Sequence, residues 1–451
     1  MKYSLVTFGC RVNQADSLGF EEALRVRGAV PGSPEEADIV IVNTCSVTAS
    51  ADQSARQTVR RIVRTNPRAR IVVTGCYASR SPEVFRESPN VLRVIPNDEK
   101  ARLVSLLASD LGLTTAERFG DGDGSCGAAI EPGVAGRTAF TLRVQTGCSQ
   151  PCAYCIIPVT RGQPRSVSIP EVLASVARAA DSGFKEIAIT GVHLGSYGRD
   201  LTPSTSLIDL LRALDGWHGL KTVPDTHDGL EAVPPMTDCR GRCSHRPDAP
   251  VRFRISSLEP MDCSPEVVDL VAASGAFAPH FHLPLQHASN RLLAAMRRPY
   301  TIEQYAALVD RVRARMPDAS IGSDIIVGFP GESDEAFEQS CAYLSRSPLT
   351  HLHVFPYSDR PGTAATPMSG HVPGGTIRAR AALVRDIGAR LTKRFRDAQS
   401  GSVHRALTLE DGSLAVTGNY LKVRIPPGRA RNEWVMVRVV DVGDPMRGDL
   451  V

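Results

Sequence analysis

The chain has 451 residues, of which 42% are hydrophobic and 22% charged, and its formal net charge is +4. This composition is typical of a globular protein with two or three domains. It excludes a polycation, so nucleic-acid binding would have to come from local basic clusters. The 11 cysteines are an odd number that does not fit a secreted disulfide framework. With no signal peptide and no run that could span a bilayer, the sequence predicts a cytoplasmic protein with reduced thiols and no membrane partner.

The first region, residues 1–98, alternates apolar runs with helical stretches. The runs Tyr3–Phe8, Ile39–Val42 and Ile71–Val73 are too uniform for strands that are buried on one face only. They predict a parallel sheet with crossover helices. Asn13 is predicted to cap the first of these helices.

Three cysteines follow the three runs. Cys10, Cys45 and Cys76 each come within three residues of the predicted end of a strand. Because the carboxyl ends of parallel strands share one edge of a sheet, we expect the three thiols to lie close together. A three-thiolate metal site is the favoured interpretation, and three unrelated buried cysteines are the alternative.

A helix predicted over Ala101–Leu113 ends this first domain, residues 1–113. The next stretch, residues 114–136, contains alternating Gly and Asp and predicts a flexible connector. Cys126 lies in this connector and has no predicted role.

Residues 137–370 predict a central domain of six strand–helix units, an open or partial barrel with polar, glycine-rich loops at one end. The predicted strands are Phe140–Gln145, Glu186–Thr190, Val251–Ile255, His280–Leu283, Ile321–Val327 and His351–Phe355. An insertion, residues 217–250, interrupts the pattern. Its Cys239, Cys243 and His245 could form a third metal site, but a surface loop is the simpler interpretation.

A cysteine loop follows the first strand of the central domain. Cys148, Cys152 and Cys155 have the spacing C-x3-C-x2-C. Thiolates hold the irons of iron–sulfur clusters, and three thiolates on a four-iron cluster leave one iron free to bind another ligand. A structural zinc site is the alternative, but it needs a fourth ligand that no nearby residue supplies. We expect this site and the N-terminal one to face a common cavity.

The C-terminal part changes character. Residues 371–399 predict a basic helix and residues 400–451 a small five-stranded barrel of the kind that binds oligonucleotides. Tyr420 and Trp434 could stack on bases, although core packing is an equal alternative. The basic residues of the helix are Arg378, Arg380, Arg385, Arg390, Lys393, Arg394 and Arg396.

Together these residues resemble a known family. The cysteine loop, with Tyr154 before its last cysteine, resembles that of the radical S-adenosylmethionine enzymes, and the three-part chain resembles the methylthiotransferases, whose last domain is called TRAM. Several stretches are most similar to the MtaB type: Thr7-Phe-Gly-Cys-Arg-Val-Asn-Gln, Val42-Asn-Thr-Cys-Ser-Val-Thr, Thr74-Gly-Cys-Tyr-Ala, Thr190-Gly-Val-His-Leu-Gly-Ser-Tyr-Gly, Arg254-Ile-Ser-Ser-Leu-Glu-Pro, His282-Leu-Pro-Leu-Gln and His353-Val-Phe-Pro-Tyr-Ser.

The resemblance implies a transferase that adds a methylthio group to carbon 2 of N6-threonylcarbamoyladenosine at tRNA position 37. It implies two 4Fe–4S clusters and S-adenosylmethionine as cofactors. The cluster on Cys148, Cys152 and Cys155 would generate the 5′-deoxyadenosyl radical, and the auxiliary cluster on Cys10, Cys45 and Cys76 would carry the sulfur. The expected partners are a tRNA anticodon loop and an electron donor such as flavodoxin or ferredoxin, with the protein itself a monomer.

Further site residues follow from the ends of the barrel strands. The resemblance implies that Gly191 contacts S-adenosylmethionine. Ser257, Glu259 and Gln286 are expected to contact it as well, and a structural role is the alternative for these three. Arg161 and Arg165 could meet a substrate phosphate or the cofactor carboxylate, and surface charge is the alternative for both. Other readings of the whole chain keep the chemistry but change the substrate to isopentenyladenosine in tRNA or a ribosomal-protein aspartate. The remaining alternative is a non-catalytic iron–sulfur protein that binds RNA and carries electrons.

Overall fold

The computed structural model describes residues 1–111, 130–133, 136–217 and 251–451. Most of the predicted connector lies outside these residues, and so does the predicted insertion apart from Trp217. The predictions for Cys126, Cys239, Cys243 and His245 therefore fall outside the described residues.

The N-terminal part is a five-stranded parallel sheet with the strand order β2-β1-β3-β4-β5. All six residues of its central strand β3 are buried, which explains the uniform apolar run in the sequence. Its strands are β1 Lys2–Thr7, β2 Val30–Pro31, β3 Ile39–Thr44, β4 Arg70–Gly75 and β5 Val91–Ile95. Its helices are α1 Arg11–Val26, α2 Ala49–Thr65, α3 Cys76–Arg80, α4 Glu83–Arg86 and α5 Leu103–Leu111.

The prediction that Asn13 caps the first helix is wrong. Cys10 is the residue before α1, and Asn13 lies inside its first turn. The Asn13 amide instead donates hydrogen bonds to the carbonyl oxygens of Phe8 and Thr44, both at 2.9 Å. A buried side chain thus joins the ends of β1 and β3.

The central part contains six parallel strands in the order β6-β9-β10-β11-β12-β13, with β10 and β11 linked by a bridge between Ser257 and His282. These strands form a partial barrel. The strands of this part are β6 Phe140–Arg143, β7 Gln145–Thr146, β8 Arg165–Ser166, β9 Glu186–Thr190, β10 Arg252–Ile255, β11 His280–His282, β12 Ser320–Val327 and β13 His351–Pro356. The helices are α6 Ile157–Arg161, α7 Ile169–Asp181, α8 Leu207–Asp215, α9 Pro265–Ala273, α10 Asn290–Ala295, α11 Ile302–Arg315 and α12 Asp334–Arg346.

The C-terminal part consists of the long helix α13, Gly374–Asp397, and a closed five-stranded barrel. Helix α13 packs its apolar side on the central part, including Gly388 against Leu352 of β13. The barrel strands are β14 Val403–Leu409, β15 Leu414–Thr417, β16 Lys422–Arg424, β17 Trp434–Asp441 and β18 Met446–Leu450. The predicted fold class, α/β with a small all-β barrel at the C-terminus, is confirmed.

A buried ion cluster docks the terminal barrel on the central part. Glu186 at the start of β9 pairs with Arg252 at 2.6 Å and with Arg254 at 3.1 Å. The two guanidinium groups also donate to barrel carbonyl oxygens, Arg252 to Val416 at 3.2 Å and Arg254 to Gly418 at 2.9 Å. The terminal barrel is therefore held in one orientation against the beginnings of β9 and β10.

No helix in the described part of the chain is both long enough and apolar enough to cross a membrane.

Candidate active site

The three N-terminal cysteines lie on one edge of the sheet. Cys10 follows β1 and precedes α1, Cys45 comes directly after β3, and Cys76 is the first residue of α3 after β4. Because β1, β3 and β4 are neighbours, these positions are brought together from three separate stretches of sequence.

Two glycines allow the backbone to come this close. Gly9 has φ +87°, and a Cβ atom added there would lie 2.5 Å from the Cys45 Sγ. Gly75 has φ +98°, and a Cβ atom there would lie 2.2 Å from the Thr44 carbonyl oxygen. Glycine is the residue that fits both the backbone conformation and the space.

Two buried cations lie beside this cysteine triad. Lys100 pairs with Asp16 at 2.7 Å, and Arg161 donates to the Asn13 side-chain oxygen at 2.6 Å. Arg161 is buried and comes from α6, just after the cysteine loop of the central part, so the interpretation of this residue as surface charge is wrong. No local pattern in the sequence marked Lys100. Arg165, in contrast, is exposed.

The pKa values of these thiols reflect burial and the two cations. Burial raises the pKa of Cys45 to about 12. Burial alone would raise the pKa of Cys76 as well, but the positive charges of Arg161 and Lys100 lower it. Two cations beside three thiols suit a group that is negatively charged overall, as an iron–sulfur cluster held by thiolates is.

The cysteine loop of the central part follows β7. Gly147 has φ +77°, and a Cβ atom there would lie 1.9 Å from the Gln163 carbonyl oxygen, so this turn requires glycine. Within the loop, the Ala153 amide donates to the Met296 carbonyl oxygen at 3.0 Å, and the Ala153 carbonyl accepts from Ala365 at 2.8 Å. The loop is thus fixed from both sides.

Arg298 supports the second triad as Arg161 supports the first. Its Nη1 donates to the Cys152 Sγ at 3.0 Å, and its Nη2 pairs with Glu259. Burial raises the pKa of Cys155 to about 12, and the neighbouring Cys152 adds to the effect. Glu259, which is predicted to contact S-adenosylmethionine, is therefore linked to Cys152 of the cysteine loop through the Arg298 side chain.

The sulfur atoms of each cysteine triad are spread more widely than the ligand atoms of a compact mononuclear site. Within the described residues, three ligand atoms of His, Cys, Asp or Glu all lie within 4.8 Å of one another only in the group of His282, Asp324 and His353. Tetrahedral Zn²⁺ with sulfurs at about 2.3 Å would draw three sulfurs to about 3.8 Å from one another. Neither cysteine triad is that tight, whereas a four-iron cluster accommodates a wider set of thiolates.

A cavity of about 920 Å³ lies where the three parts of the chain meet. Cys10 and Cys45 line it from the N-terminal part, and Ile157 and Arg161 line it from α6. The cysteines of the loop at 148–155 are not among its described lining residues, so the expected common cavity reaches that loop only through α6. Further lining residues are Gly191, Ser257, His282, Asp324, His353, Tyr420 and Lys422.

The four residues predicted to bind S-adenosylmethionine have different surroundings. Gly191 and Ser257 line the cavity, and a Cβ atom on Gly191 would lie 2.7 Å from Leu194 and 3.1 Å from Gln145. Gln286 is buried with φ 69°, and Glu259 pairs with Arg298. Neither of these two is among the described lining residues, and their cofactor contacts stay predictions.

One wall of the cavity is a histidine–aspartate cluster. His282 Nε2 and His353 Nδ1 lie 2.9 and 3.2 Å from the same Asp324 oxygen. Burial alone would raise the pKa of Asp324, but hydrogen bonds from the two histidines lower it to about 2. The carboxylate is therefore ionised and already engaged by its neighbours.

The C-terminal part supplies the opposite wall. Tyr420 lines the cavity and is 42% exposed, whereas the Trp434 ring is covered by Arg405 at 3.9 Å and Arg252 at 4.9 Å. In α13, Arg380 is buried and pairs with Glu332 at 2.9 Å, so it does not belong to an exposed basic face. Arg396 lines the cavity instead.

A solved structure shares the fold of this chain, and a family model identifies its central part. The chain aligns with the radical S-adenosylmethionine methyltransferase TsrM from Kitasatospora setae with a TM-score of 0.54 and 16% identity, covering 81% of this chain and 75% of that one. At this identity the similarity shows the fold alone. The family model described as "Radical SAM superfamily" matches residues 142–344, and the central part is thus a radical S-adenosylmethionine domain.

Relatives narrow the class to a family. The model described as "Uncharacterized protein family UPF0004" matches residues 2–95. The threonylcarbamoyladenosine tRNA methylthiotransferase MtaB of Aquifex aeolicus is 33% identical over 430 residues, covering 94% of this chain and 96% of that protein. MtaB of Bacillus subtilis is 30% identical over 431 residues, covering 92% and 88%. The chain belongs to the MtaB-type family of radical S-adenosylmethionine tRNA methylthiotransferases.

A relative named for a different tRNA nucleoside is also similar to this chain. The tRNA-2-methylthio-N(6)-dimethylallyladenosine synthase of Mycobacterium sp. strain MCS is 30% identical over 470 residues, covering 100% of this chain and 86% of that protein.

Proposed function

We propose that this protein transfers a methylthio group to carbon 2 of N6-threonylcarbamoyladenosine at position 37 of tRNA. Its cofactors are 4Fe–4S clusters and S-adenosylmethionine. The observation that carries the proposal is the convergence of Cys10, Cys45 and Cys76 at one sheet edge, beside a cavity shared with the strand ends of a radical S-adenosylmethionine domain.

The two cysteine triads divide the chemistry. Cys148, Cys152 and Cys155 would hold a 4Fe–4S cluster, which together with S-adenosylmethionine would supply the radical chemistry needed for an unactivated C–H bond. We assign the auxiliary cluster, which carries the sulfur, to the triad of Cys10, Cys45 and Cys76.

The surrounding side chains orient these groups. Lys100 and Arg161 balance the negative charge of the N-terminal triad, and Arg298 does the same beside Cys152. Gln145 accepts from the His193 amide at 2.8 Å and so holds the loop of Gly191 against β7. We expect Gly191 and Ser257, which line the cavity, to contact the cofactor, with Glu259 and Gln286 behind them.

A second candidate is the same reaction on dimethylallyladenosine in tRNA. The observation that favours it is the similarity to the mycobacterial synthase over the full chain. The order of the relatives favours threonylcarbamoyladenosine, because the MtaB proteins of five organisms come first among those compared.

Several finer assignments belong to the same proposal. We assign the terminal barrel to the TRAM type and expect it, with Arg396 and Lys422, to hold the anticodon loop. We also expect a flavodoxin or ferredoxin as the electron donor, a monomeric enzyme, and a cytoplasmic location where tRNA and reduced thiols occur together.

The experiment is nucleoside mass spectrometry on reactions run without oxygen. The iron-loaded enzyme, S-adenosylmethionine and a reductant are incubated with tRNA that carries either threonylcarbamoyladenosine or dimethylallyladenosine. We expect the methylthio product from the first tRNA. Product from the second alone would contradict the proposed substrate.

Single-cysteine variants test the division of labour. Cys152→Ala should form neither 5′-deoxyadenosine nor product, whereas Cys45→Ala should form 5′-deoxyadenosine without product. Each should lose about four of about eight irons per chain. Cys341→Ala, a half-buried cysteine of α12, is the matched control and should keep both activities. A wild-type enzyme with about four irons would contradict two clusters.

A further inference from the structure

Arg11 occupies a special place in the cavity. It follows Cys10 directly in the sequence and lines the cavity beside it. Its Nη2 donates to the Tyr420 hydroxyl at 3.2 Å, and its guanidinium carbon lies 6.0 Å from the centre of the Tyr420 ring. The contact joins residues 409 positions apart, one from the N-terminal part and one from the terminal barrel.

The positive charge of Arg11 is not balanced by a carboxylate. In the described part of the chain Arg11 donates to a neutral tyrosine and forms no ion pair. A second arginine lies on the same ring: the Arg254 guanidinium carbon is 4.7 Å from the centre of the Tyr420 ring, and Arg254 is itself paired with Glu186. Burial lowers the pKa of His280 and that of Arg137, and the charge of Arg11 adds to the decrease in both.

The acidic group of the cavity wall does not change this balance. Asp324 is held by His282 and His353 on the side of the central barrel. Lys422 adds further positive charge to the lining, whereas Arg396 there pairs with Asp444 at 3.2 Å. An uncompensated guanidinium in a partly enclosed cavity favours an anionic ligand.

The proposed substrate carries an anion where Arg11 could meet it. Carbon 2 and carbon 6 of adenine flank the same ring nitrogen, so the substituent on N6 lies beside carbon 2. If carbon 2 must approach the group held by Cys10, the carboxylate of a threonylcarbamoyl substituent comes near the next residue, Arg11. A dimethylallyl substituent has no charge to offer there.

We propose that Arg11, positioned by Tyr420, binds the carboxylate of the N6-threonylcarbamoyl group and makes the enzyme specific for it. The inference rests on the proposed function and adds the residue by which the enzyme recognises its substrate. A guanidinium binds a carboxylate through two parallel hydrogen bonds, and a site built for such a group discriminates strongly against an analogue without it.

An RNA phosphate is the other source of the same anionic chemistry. The test therefore uses two synthetic anticodon stem-loops that are identical except at one group: one carries N6-threonylcarbamoyladenosine and the other its methyl ester. Binding of both is measured with the iron-loaded full-length enzyme. The variants are Arg11→Gln, Arg11→Lys and Tyr420→Phe, with Lys422→Gln as the matched control from the same cavity.

We expect Arg11→Gln to weaken binding only of the stem-loop that carries the free carboxylate, called the acid below; the stem-loop with the methyl ester is called the ester. The wild-type enzyme should bind the acid more tightly than the ester, and Arg11→Gln should weaken acid binding about tenfold to hundredfold while ester binding stays unchanged. Arg11→Lys should keep part of the preference for the acid, and Tyr420→Phe should lower it less than Arg11→Gln does. Lys422→Gln should weaken both stem-loops by the same factor.

Two outcomes overturn the inference. Equal weakening of acid and ester by Arg11→Gln would assign Arg11 to a phosphate, and equal binding of both stem-loops by the wild-type enzyme would exclude a carboxylate contact. Methylthiolation is scored separately in the same samples. A wild-type enzyme that modifies the acid while Arg11→Gln shows no selective effect disproves this inference alone, whereas modification of dimethylallyladenosine only would disprove the proposed function.

Discussion

At the scale of the residue, a few buried cations define both cysteine sites. Arg161 reaches from the central part to Asn13 beside the N-terminal triad, and Arg298 donates to the Cys152 sulfur. A buried charge is stable only when it is paired and hydrogen-bonded. Arg161 pairs with Asp16 at 3.5 Å and Arg298 pairs with Glu259, and each arginine also acts on a thiol of its triad.

Gly9 gives a prediction about the N-terminal triad. In Gly9→Ala the new methyl group would lie 2.5 Å from the Cys45 Sγ, so Cys45 has to move, and we expect loss of about four irons per chain. Gly28→Ala is the control, because Gly28 also has positive φ but no atom within 4 Å of the added Cβ. It should cost about 1–2 kcal/mol and keep the iron. Iron analysis after reconstitution is the measurement, and full iron in Gly9→Ala would contradict the assignment.

Arg161 gives a second prediction at this scale. Arg161→Gln removes a buried charged hydrogen bond to Asn13, so we expect about 2 kcal/mol lower stability and weaker retention of the N-terminal cluster. Arg165→Gln, on the exposed strand β8, should change stability by less than about 0.5 kcal/mol. Urea denaturation and the rate of iron loss to a chelator measure the two effects. Equal behaviour of the two variants would argue against the role given to Arg161.

At the scale of the element, the ends of the strands carry the function. Strands β1, β3 and β4 end at cysteines, and β9, β10 and β11 end at the cavity. The start of β9 has a structural task instead, because Glu186 there holds Arg252 and Arg254 under the terminal barrel. The first residue of β9 thus holds the terminal barrel, and the residue after its end, Gly191, lines the cavity.

The Glu186 cluster gives a prediction about pH. Burial alone would raise the pKa of Glu186, but Arg254 and Arg252 lower it from 4.5 to about 2. The ionised carboxylate therefore stabilises the folded chain above about pH 4.5, and this contribution is lost as the pH falls toward 2. Glu186→Gln should lower the free energy of unfolding at pH 7 by about 3–5 kcal/mol, because it leaves two buried arginines unpaired.

The measurement is urea denaturation of the full-length chain at pH 7 and at pH 3. Unfolding is monitored by the fluorescence of Trp434 in a Trp217→Phe background. Trp434 reports on docking because its ring lies against Arg252. The difference between wild type and Glu186→Gln should shrink at pH 3. The exposed Glu338→Gln is the control, and a difference that does not depend on pH would contradict the ion-cluster argument.

At the scale of the whole molecule, three parts of the chain surround one cavity, and ion pairs join them. Asp52 of α2 accepts from Arg80 within the N-terminal part and from Arg360 of the central part, both at 2.9 Å. The sulfur-carrying triad and the radical-generating loop belong to different parts. Their relative position therefore depends on such contacts.

Arg360 gives a prediction about coupling. Arg360→Gln should loosen the N-terminal part from the central part, so more 5′-deoxyadenosine should form per methylthiolated nucleoside, by a factor of several. Arg80→Gln is the matched control, because it breaks a bond to the same Asp52 within one part. Product analysis of single reactions is the measurement. An unchanged ratio in Arg360→Gln, or an equal rise in Arg80→Gln, would contradict the argument.

The longer strands of each part and the positions of the six cysteines could be predicted from the sequence, whereas short strands such as β2, Val30–Pro31, and β5, Val91–Ile95, could not. Apolar runs such as Ile39–Val42 are local patterns, and the residue that follows a strand is known once its end is known. The distant side chains that meet are known from the three-dimensional structure alone: Arg161 with Asn13, Arg298 with Cys152, and Arg11 with Tyr420. Such pairs depend on how whole domains pack, and no local period in a sequence records that packing.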